Sequence, residues 1–525
     1  MSDQTTLTKV PEPSYLSDIY SDLTTKDISS RLKSEKEDTS LKIRDSVKEK
    51  ITIKVNPDDN GERKVPQNKT FTVDDAIEVL GFGKFQIKMF FLTGLAWMAD
   101  SMELMILSII SPALECEWGI SSVEQAMITT VVFSGMFFSA TIWGKICDRY
   151  GRKTGLLCSS LFTFTFGALS SIAPNIQIFL LLRGLTGVGV GGLPQCITLY
   201  SEFLGSSQRA QCVILVQIFW GVGACFEALV AYLVMDSLGW RWLLIISSLP
   251  LLIYSFASNW IPESPRFSIS AGKKDEAYNV LKEIASNNNK KTPKGELIIL
   301  KSNSTEARGS FKNLFIPTLR RTTLLLWFIW TVNTFSYYGN ILLTMVFLQS
   351  SDECHGGGHK MNVSKSSGCR PLDKDDYIDI FTTSFAEFPG LLLVVLVIEL
   401  IGRKKVMVLG LGMFSISTSI LYFCLSRPFV TTLLFVARAF ISATIQCAYV
   451  YTPEVYPTSL RSIGLGASSG MARMGAIVTP FVAQVVSTYS LYIPVTVYGL
   501  CGLVGAIAVL ALPIETKGRK MTDSH

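Results

Sequence analysis

Long apolar stretches, separated by short polar segments, run through most of the chain. Twelve of them are close to 20 residues long, the length that a helix needs to cross a bilayer core of roughly 30 Å. The apolar residues are continuous rather than alternating, and every backbone group in lipid must be bonded within the protein, so the stretches are predicted to be helices. Helices 1 to 12 are expected at about residues 87–112, 124–143, 155–173, 177–200, 211–234, 241–261, 322–348, 377–400, 405–425, 430–452, 463–486 and 490–511.

Composition supports a membrane protein. Hydrophobic residues make up 48% and charged residues 17% of the 525 residues, and mean hydropathy is +0.35. A soluble chain of this length would form several domains, but the apolar stretches leave little sequence for them. Much of the net charge of +6 lies in the loops between helices, so it gives no evidence for nucleic-acid binding. The lipid bilayer is the expected large partner.

Charge in the loops predicts the orientation. Lys and Arg collect after helices 2, 6, 8 and 12, and such residues mark the cytoplasmic side, so both termini are expected in the cytosol. The N-terminal residues are polar and poor in aromatics, which is typical of disorder. The expected organisation is a disordered cytoplasmic tail (1–70), a six-helix bundle (71–261), a cytoplasmic central loop (262–321), a second six-helix bundle (322–512) and a cytoplasmic tail (513–525).

The loop after helix 7, about residues 349–376, is expected on the side opposite the cytosol, where the other loops are short. It contains the sequon Asn362-Val-Ser364 and two cysteines. Outside the cell or in a lumen both glycosylation and a disulfide can form, and we predict glycosylation of Asn362. Cys354 and Cys369 could pair with each other, but Cys116 is expected on the same side, so the pairing stays open.

A charged loop occurs twice. The loop after helix 2 reads Gly-Lys-Ile-Cys-Asp-Arg-Tyr-Gly-Arg-Lys over 144–153, and a shorter copy follows helix 8 at 399–405. Matching charges also recur on helices 4 and 10. These coincident repeats indicate a duplicated six-helix unit. The residues of the charged loops and the matching helix charges are assigned to a gate or to a structural role. They are Gly144, Asp148, Arg149, Gly151, Arg152, Lys153, Arg183, Glu202, Arg209, Glu399, Gly402, Arg403, Arg438, Glu454 and Arg461.

The first of these loops matches the pattern G-x-x-x-D-R-x-G-R-K and resembles the signature of the major facilitator superfamily. The second copy departs from it, because Glu399 stands for the Asp and Leu400 for the first Arg. Segments 71–86, 94–103 and 448–457 are similar to the synaptic vesicle 2 branch, which is related to organic cation and anion transporters. The resemblance covers about residues 70–525.

Membership in this family implies an all-α fold of twelve helices in two bundles that rock around a central site. The charged loops are then latches that hold one gate closed and break when the other state forms, although they could also only set the orientation. The resemblance also implies a secretory or synaptic vesicle membrane. Adenine nucleotide binding is associated with these relatives, but no residues for it can be named.

A charge inside a membrane helix needs a reason, because it costs about 2.5–3.5 kcal/mol at the bilayer centre. Helix 1 carries Asp100 and Glu103, and their three-residue spacing puts them on one face. Two close carboxylates repel, which suits a proton-coupling or cation site, with Trp97 as a cation–π surface. The alternative is a buried carboxylate bonded to an Arg from another helix.

The remaining intramembrane charges leave the sign of the substrate open. Glu227 and Glu387 line the pathway or pair with an Arg of helix 4 or 10. Arg473 on helix 11 can clamp a carboxylate, which favours an anion, or neutralise one of these Glu residues. A zwitterion or a proton-coupled anion would satisfy both signs. The predicted pathway residues are Asp100, Glu103, Glu227, Tyr337, Tyr338, Glu387 and Arg473.

The sequence therefore predicts a transporter of small organic ions that works by alternating access, with or without proton coupling, in a vesicle membrane. The alternatives are a plasma-membrane organic ion carrier and a non-transporting vesicle scaffold or receptor that keeps the fold. No enzyme activity, cofactor or metal site is expected. The Gly-rich stretch 187–192 follows no strand, so it is not a dinucleotide loop but favours close helix packing.

Overall fold

A computed structural model describes residues 70–293, 295–298, 311–349, 370–457 and 460–517. The predictions for the N-terminal tail, Asn362, Cys354 and Cys369 lie outside these residues. Within them, twelve helical spans follow the predicted order, and each overlaps its predicted stretch. Spans 1 to 6 are Lys84–Trp118, Ser122–Tyr150, Arg152–Leu169, Ile176–Val190 with Gln195–Ser201, Ser206–Val216 with Ile218–Val234, and Trp240–Ala257.

The second six spans repeat this arrangement. Nine helices of the described residues are long and apolar enough on their own to cross a membrane, and spans 7, 9 and 11 fall short because of their polar or basic residues. These three spans pack among the others, where polar side chains find protein partners. The twelve-helix all-α fold is thus confirmed. Spans 7 to 12 are Pro317–Gln349, Lys374–Phe385 with Glu387–Ile401, Arg403–Ile420, Arg427–Val455, Arg461–Pro480, and Tyr492–Leu510.

Three spans are interrupted near the middle of the molecule. Span 4 breaks between Val190 and Gln195, span 5 at Gln217 and span 8 at Ala386. The break in span 8 lies three residues before Pro389, which cannot donate the backbone hydrogen bond of a regular helix. Interrupted helices at this depth are tolerated where the protein encloses them, and here they border the space between the two halves.

Glycines bring spans 2 and 4 into close contact. A side chain at Gly187 would overlap the backbone of Val132, and one at Gly135 would overlap the backbone at Gly184. Small residues at such contacts let two helix backbones approach closely in a membrane. The Gly-rich stretch of span 4 therefore serves helix packing. Between the halves, span 2 packs against span 11 and span 5 against span 8.

The segment before span 1 and the central loop form a small structure beside the first half. The helices Val73–Leu80, Pro265–Ser270 and Lys274–Asn287 pack together, and the strand Thr70–Phe71 pairs in parallel with Glu296–Leu297. Asn288 accepts a hydrogen bond from the Phe85 amide at 3.0 Å, and Glu78 accepts one from the Ser206 amide at 2.9 Å. These contacts attach the small structure to the ends of spans 1 and 5.

Two cysteines mark the end of the molecule opposite the duplicated loops. Cys116 in the last turn of span 1 and Cys424 after span 9 are both disulfide-bonded. Seven other cysteines of the described segments are free, and most of these are buried. The disulfides are therefore confined, among the described cysteines, to one end of the bundle.

The contact at Gly187 can be tested by a single substitution. We expect Gly187→Ala to lower the melting temperature of the purified protein in detergent, because the added methyl group overpacks spans 2 and 4 at a cost of about 1–3 kcal/mol. Gly412→Ala in span 9 is the control, since nothing lies within 4 Å of a side chain there. An unchanged melting temperature for Gly187→Ala would refute the contact.

Candidate functional site

Each duplicated loop is built around a glycine and a carboxylate. Gly151 has φ +109° and Gly402 has φ +95°, values that favour glycine, and both lie at the turn into the next span. Glu263 accepts hydrogen bonds from the Arg152 and Lys153 amides at 2.9 and 3.2 Å. Glu515 accepts the equivalent bonds at the start of span 9, at 3.0 and 3.1 Å. A carboxylate thus caps spans 3 and 9, where free amides and the helix dipole favour a negative charge.

The first arginine of each following span joins three elements. Arg152 lies 2.7 Å from Asp148 on span 2 and 3.3 Å from Glu202 after span 4. In the second half Arg403 donates two hydrogen bonds to Glu454, both of 3.1 Å, and one to Glu399 of 3.0 Å. The two clusters are equivalent in position and composition. Each connects three spans of its own half.

The other residues of these loops make local contacts. Arg209 donates to the Leu204 carbonyl at 3.0 Å, and Arg461 donates to the Pro453 carbonyl at 2.9 Å. Arg149 is exposed beside the Tyr150 ring, and a side chain at Gly144 would touch nothing within 4 Å. In the described part of the chain, none of these contacts joins one half to the other. The latch predicted for the loops therefore does not hold the halves together in this conformation.

A second charge cluster is buried inside the first half. Arg183 on span 4 donates to Glu103 on span 1 at 3.0 Å, and both side chains are about 1–2% exposed. Glu227 on span 5 also interacts electrostatically with this arginine, and it accepts a hydrogen bond from Ser247 on span 6 at 2.8 Å. Two carboxyl groups thus lie near one guanidinium, and only Glu103 bonds to it. If Glu103 and Glu227 were both ionised, Arg183 would balance one of them and the other would be an uncompensated charge inside the protein.

Within its described residues, the second half contains a buried ion pair whose two charges balance. Arg438 on span 10 donates to Glu387 on span 8 at 3.0 Å, and Tyr337 on span 7 donates to the same oxygen at 2.7 Å. Ser442 binds the other oxygen of this carboxylate. The indole of Trp220 in the first half donates to the Tyr337 hydroxyl at 2.7 Å. This chain of hydrogen bonds crosses from one half to the other.

A cavity of about 130 Å³ lies between the halves, at the level of the helix breaks. Asp100 on span 1 and Arg473 on span 11 face it from opposite halves, and their charges interact across it. Asp100 is 1% exposed. Within the described residues neither side chain has a hydrogen bond or an ion pair within 4.0 Å. Aromatic rings form much of the remaining wall: Trp97, Phe133, Trp220, Trp330, Tyr337, Tyr338 and Tyr449.

The structure separates residues that the sequence grouped together. Asp100, Tyr337, Tyr338, Glu387 and Arg473 line the cavity, whereas Glu103 and Glu227 do not. The two acidic residues of helix 1 have different surroundings, because Asp100 lines the cavity and Glu103 pairs with Arg183 of span 4. Arg473 is not the partner of Glu227 or Glu387 among the described residues, since those carboxylates contact Ser247 and Arg438.

Sequence reasoning missed several contributors. Ser442 donates a hydrogen bond to Glu387, and Gln217 accepts one from the Trp97 indole. A serine or a glutamine in a membrane helix gives no pattern that would single it out in the sequence. Glu263 and Glu515 could have been assigned, because each follows a proline at the end of the last span of its half. The roles of all these residues remain predictions.

Polar contacts between the halves lie at the cavity or nearer the disulfide end, as far as the described residues go. Thr130 donates to the Ile477 carbonyl at 3.3 Å, and Gln484 donates to Ser111 at 3.4 Å. Lys374 lies 3.7 Å from Asp236. The loop clusters at the other end are separate. In the described part of the chain, the polar contacts between the halves thus lie on one side of the cavity.

Comparison with known proteins agrees with this architecture. The family described as Sugar (and other) transporter matches residues 62–351, and that described as Major Facilitator Superfamily matches residues 378–524. A Caenorhabditis elegans protein named svop-1 is 53% identical over 525 residues, covering 100% of both chains. The synaptic vesicle 2-related protein of Rattus norvegicus is 50% identical over 461 residues, which are 87% of this chain and 84% of that protein.

A solved structure has the same fold. The xylose transporter XylE from E. coli, in a partially occluded inward open conformation, superposes with a TM-score of 0.62 at 16% sequence identity. The match covers 83% of this chain and 99% of that one. The family matches, the identity to relatives over most of the chain and the twelve spans lead to one conclusion: this chain is a multi-pass membrane protein that belongs to the major facilitator superfamily of membrane transporters.

Proposed function

We propose that the protein is a secondary active transporter of small organic ions that works by alternating access. The observation that carries the proposal is the cavity between the halves, where the carboxyl group of Asp100 and the guanidinium group of Arg473 face each other and have no hydrogen bond or ion pair among the described residues. An unpaired charge inside a bilayer is costly and marks a substrate or ion pathway by default. A scaffold or receptor would not need these charges.

The distribution of contacts supports movement of the halves. The buried ion pairs Glu103–Arg183 and Glu387–Arg438, and the two loop clusters, each lie within one half. Single hydrogen bonds and a weak ion pair of 3.7 Å connect the halves. Rigid halves joined by weaker contacts can rock around the cavity. This conformation would then expose the cavity toward the duplicated loops.

We further propose that the duplicated loops face the cytosol and that the membrane is that of a secretory or synaptic vesicle. Disulfides form in oxidising compartments, so Cys116 and Cys424 favour a lumen or the cell exterior at the opposite end. The name of the rat relative, synaptic vesicle 2-related protein, supports the vesicle membrane. The plasma membrane is the alternative, and there the same end would face the outside.

Proton coupling is proposed for the cluster of Glu103, Arg183 and Glu227. One guanidinium can neutralise one carboxylate, so a buried pair of carboxylates around it retains a proton on one of them. Asp100 is the other acidic group near this cluster, and Gly167 of span 3 and Ser247 of span 6 complete its surroundings. Loss and gain of this proton would accompany the change between the two states.

Transport can be measured directly in proteoliposomes with an imposed pH gradient. We expect uptake of at least one class of a panel of organic anions, cations and zwitterions, above the level of protein-free liposomes. Asp100→Asn with Arg473→Gln should abolish that uptake, since the cavity then has no unpaired charge. Absence of uptake, of proton flux and of any thermal shift with every compound would favour a non-transporting membrane protein instead.

Proton coupling has its own test. We expect Glu227→Gln to reduce net uptake driven by a pH gradient by about tenfold or more, equivalent to roughly 1.4 kcal/mol, because the cluster can no longer gain and lose a proton. Exchange of substrate at equal pH should continue. Glu276→Gln is the control, since this exposed carboxylate pairs with Lys273 outside the membrane. Gradient-driven uptake by Glu227→Gln at the wild-type rate would exclude the assignment.

A further inference from the structure

Three side chains with a carboxyl or guanidinium group line the central cavity, and only one of these groups is bonded within the protein, among the described residues. Glu387 is fully engaged by Arg438, Tyr337 and Ser442, so it brings no free charge to the cavity. The remaining two of these side chains, Asp100 and Arg473, have no hydrogen bond or ion pair within the described residues. The cavity therefore offers one carboxyl group and one guanidinium group together.

These two groups belong to different halves of the molecule. Asp100 lies on span 1 and Arg473 on span 11, and they interact only through their charges. A cation alone would bind one half and leave the guanidinium unpaired. An anion alone would pair with Arg473 and leave the Asp100 carboxyl, at 1% exposure, without a partner unless that carboxyl binds a proton. A ligand that carries both charges compensates both groups at once.

The aromatic wall adds a preference for an ammonium-type cation beside Asp100. The rings of Trp97 and Trp220 lie 5.1 Å apart, and their indole N–H groups are already bonded to Gln217 and Tyr337. Their polar edges are thus used, and these indoles contribute aromatic ring surface to the cavity wall. The face of an indole attracts a cation when water is excluded. The guanidinium group of Arg473 can donate two parallel hydrogen bonds to a carboxylate.

We propose that the substrate is a compact zwitterion, whose ammonium group binds Asp100 and whose carboxylate binds Arg473. This inference rests on the transport function proposed above. The volume of about 130 Å³ is close to that of a cavity of ~150 Å³ that accepts benzene, so the substrate is about the size of a single ring. Because it bridges spans 1 and 11, it also draws the two halves together, and the loaded protein closes more readily than the empty one.

The test uses two matched sets of probes, an aliphatic and an aromatic one. The first set is trimethylglycine, its methyl ester and 3,3-dimethylbutanoate, which have both charges, the positive charge only and the negative charge only. The second set is tyrosine, tyrosine methyl ester and 3-(4-hydroxyphenyl)propanoate. Binding is measured by thermal shift in detergent and by competition for uptake in proteoliposomes. In at least one set the zwitterion should bind about 30-fold or more tightly than either analogue, as expected for pairing one more buried charge.

Two variants separate the two ends of the ligand. Arg473→Gln should bring the affinity for the zwitterion down to that for the ester, and Asp100→Asn should bring it down to that for the carboxylate analogue. Arg241→Gln, at an exposed ion pair outside the cavity, is the control for handling and folding. Each variant is compared by its melting temperature before binding is measured.

The outcomes distinguish this inference from the proposed function. If a singly charged analogue binds or is taken up better than both zwitterions, the protein is an organic ion transporter but the zwitterion assignment is wrong. The same conclusion follows if Asp100→Asn and Arg473→Gln weaken all three probes of a set equally. If none of the six probes binds while another compound of the panel above is taken up, the zwitterion assignment is wrong and the proposed function stands. If no compound of that panel is taken up either, both fail.

Discussion

A charge inside a bilayer needs an opposite charge inside the protein, and this requirement organises the whole molecule. Each half meets it with an arginine of its fourth span, Arg183 or Arg438, which is almost fully buried and paired with a glutamate. Removing one member of such a pair would leave an unpaired buried charge, at a cost of about 3–5 kcal/mol. The pairs therefore fix the packing of several spans at once.

The same requirement explains where the molecule can move. Because the strong pairs and the loop clusters lie within a half, a displacement of one half against the other breaks none of them. The link that crosses the cavity, from Trp220 to Tyr337, is a single hydrogen bond of 2.7 Å. A neutral hydrogen bond of this kind contributes about 0.5–1.5 kcal/mol, far less than a buried ion pair. The unpaired groups that line the cavity, Asp100 and Arg473, lie where the halves meet.

Much of this architecture could be predicted from the chain, because it depends on local pattern. Continuous apolar stretches predict helices without any knowledge of packing, and the loop repeated at Gly151 and Gly402 predicts two equivalent halves. The partners of the buried charges could not be predicted. Arg438 and Glu387 are 51 residues apart and Arg183 and Glu103 are 80 apart, so packing of distant helices decides the pairing.

The surroundings of the two acidic residues of span 1, Asp100 and Glu103, could not be predicted from the sequence either. A spacing of three residues on a helix leaves side chains about 60° apart, which is near enough to suggest one face. In the packed bundle this angle separates a side chain in the cavity, Asp100, from one bonded to span 4, Glu103. Helix periodicity predicts that both are buried, but only the position of the neighbouring spans distinguishes a substrate ligand from a structural ion pair.

We infer that Asp100 and Arg473 are unpaired because they bind the substrate. A cryo-EM structure of the full chain in lipid nanodiscs with saturating tyrosine or trimethylglycine would test this. We expect ligand density between the Asp100 carboxylate and the Arg473 guanidinium, at hydrogen-bonding distance from both. An empty cavity in which these two side chains bond directly to each other would contradict it.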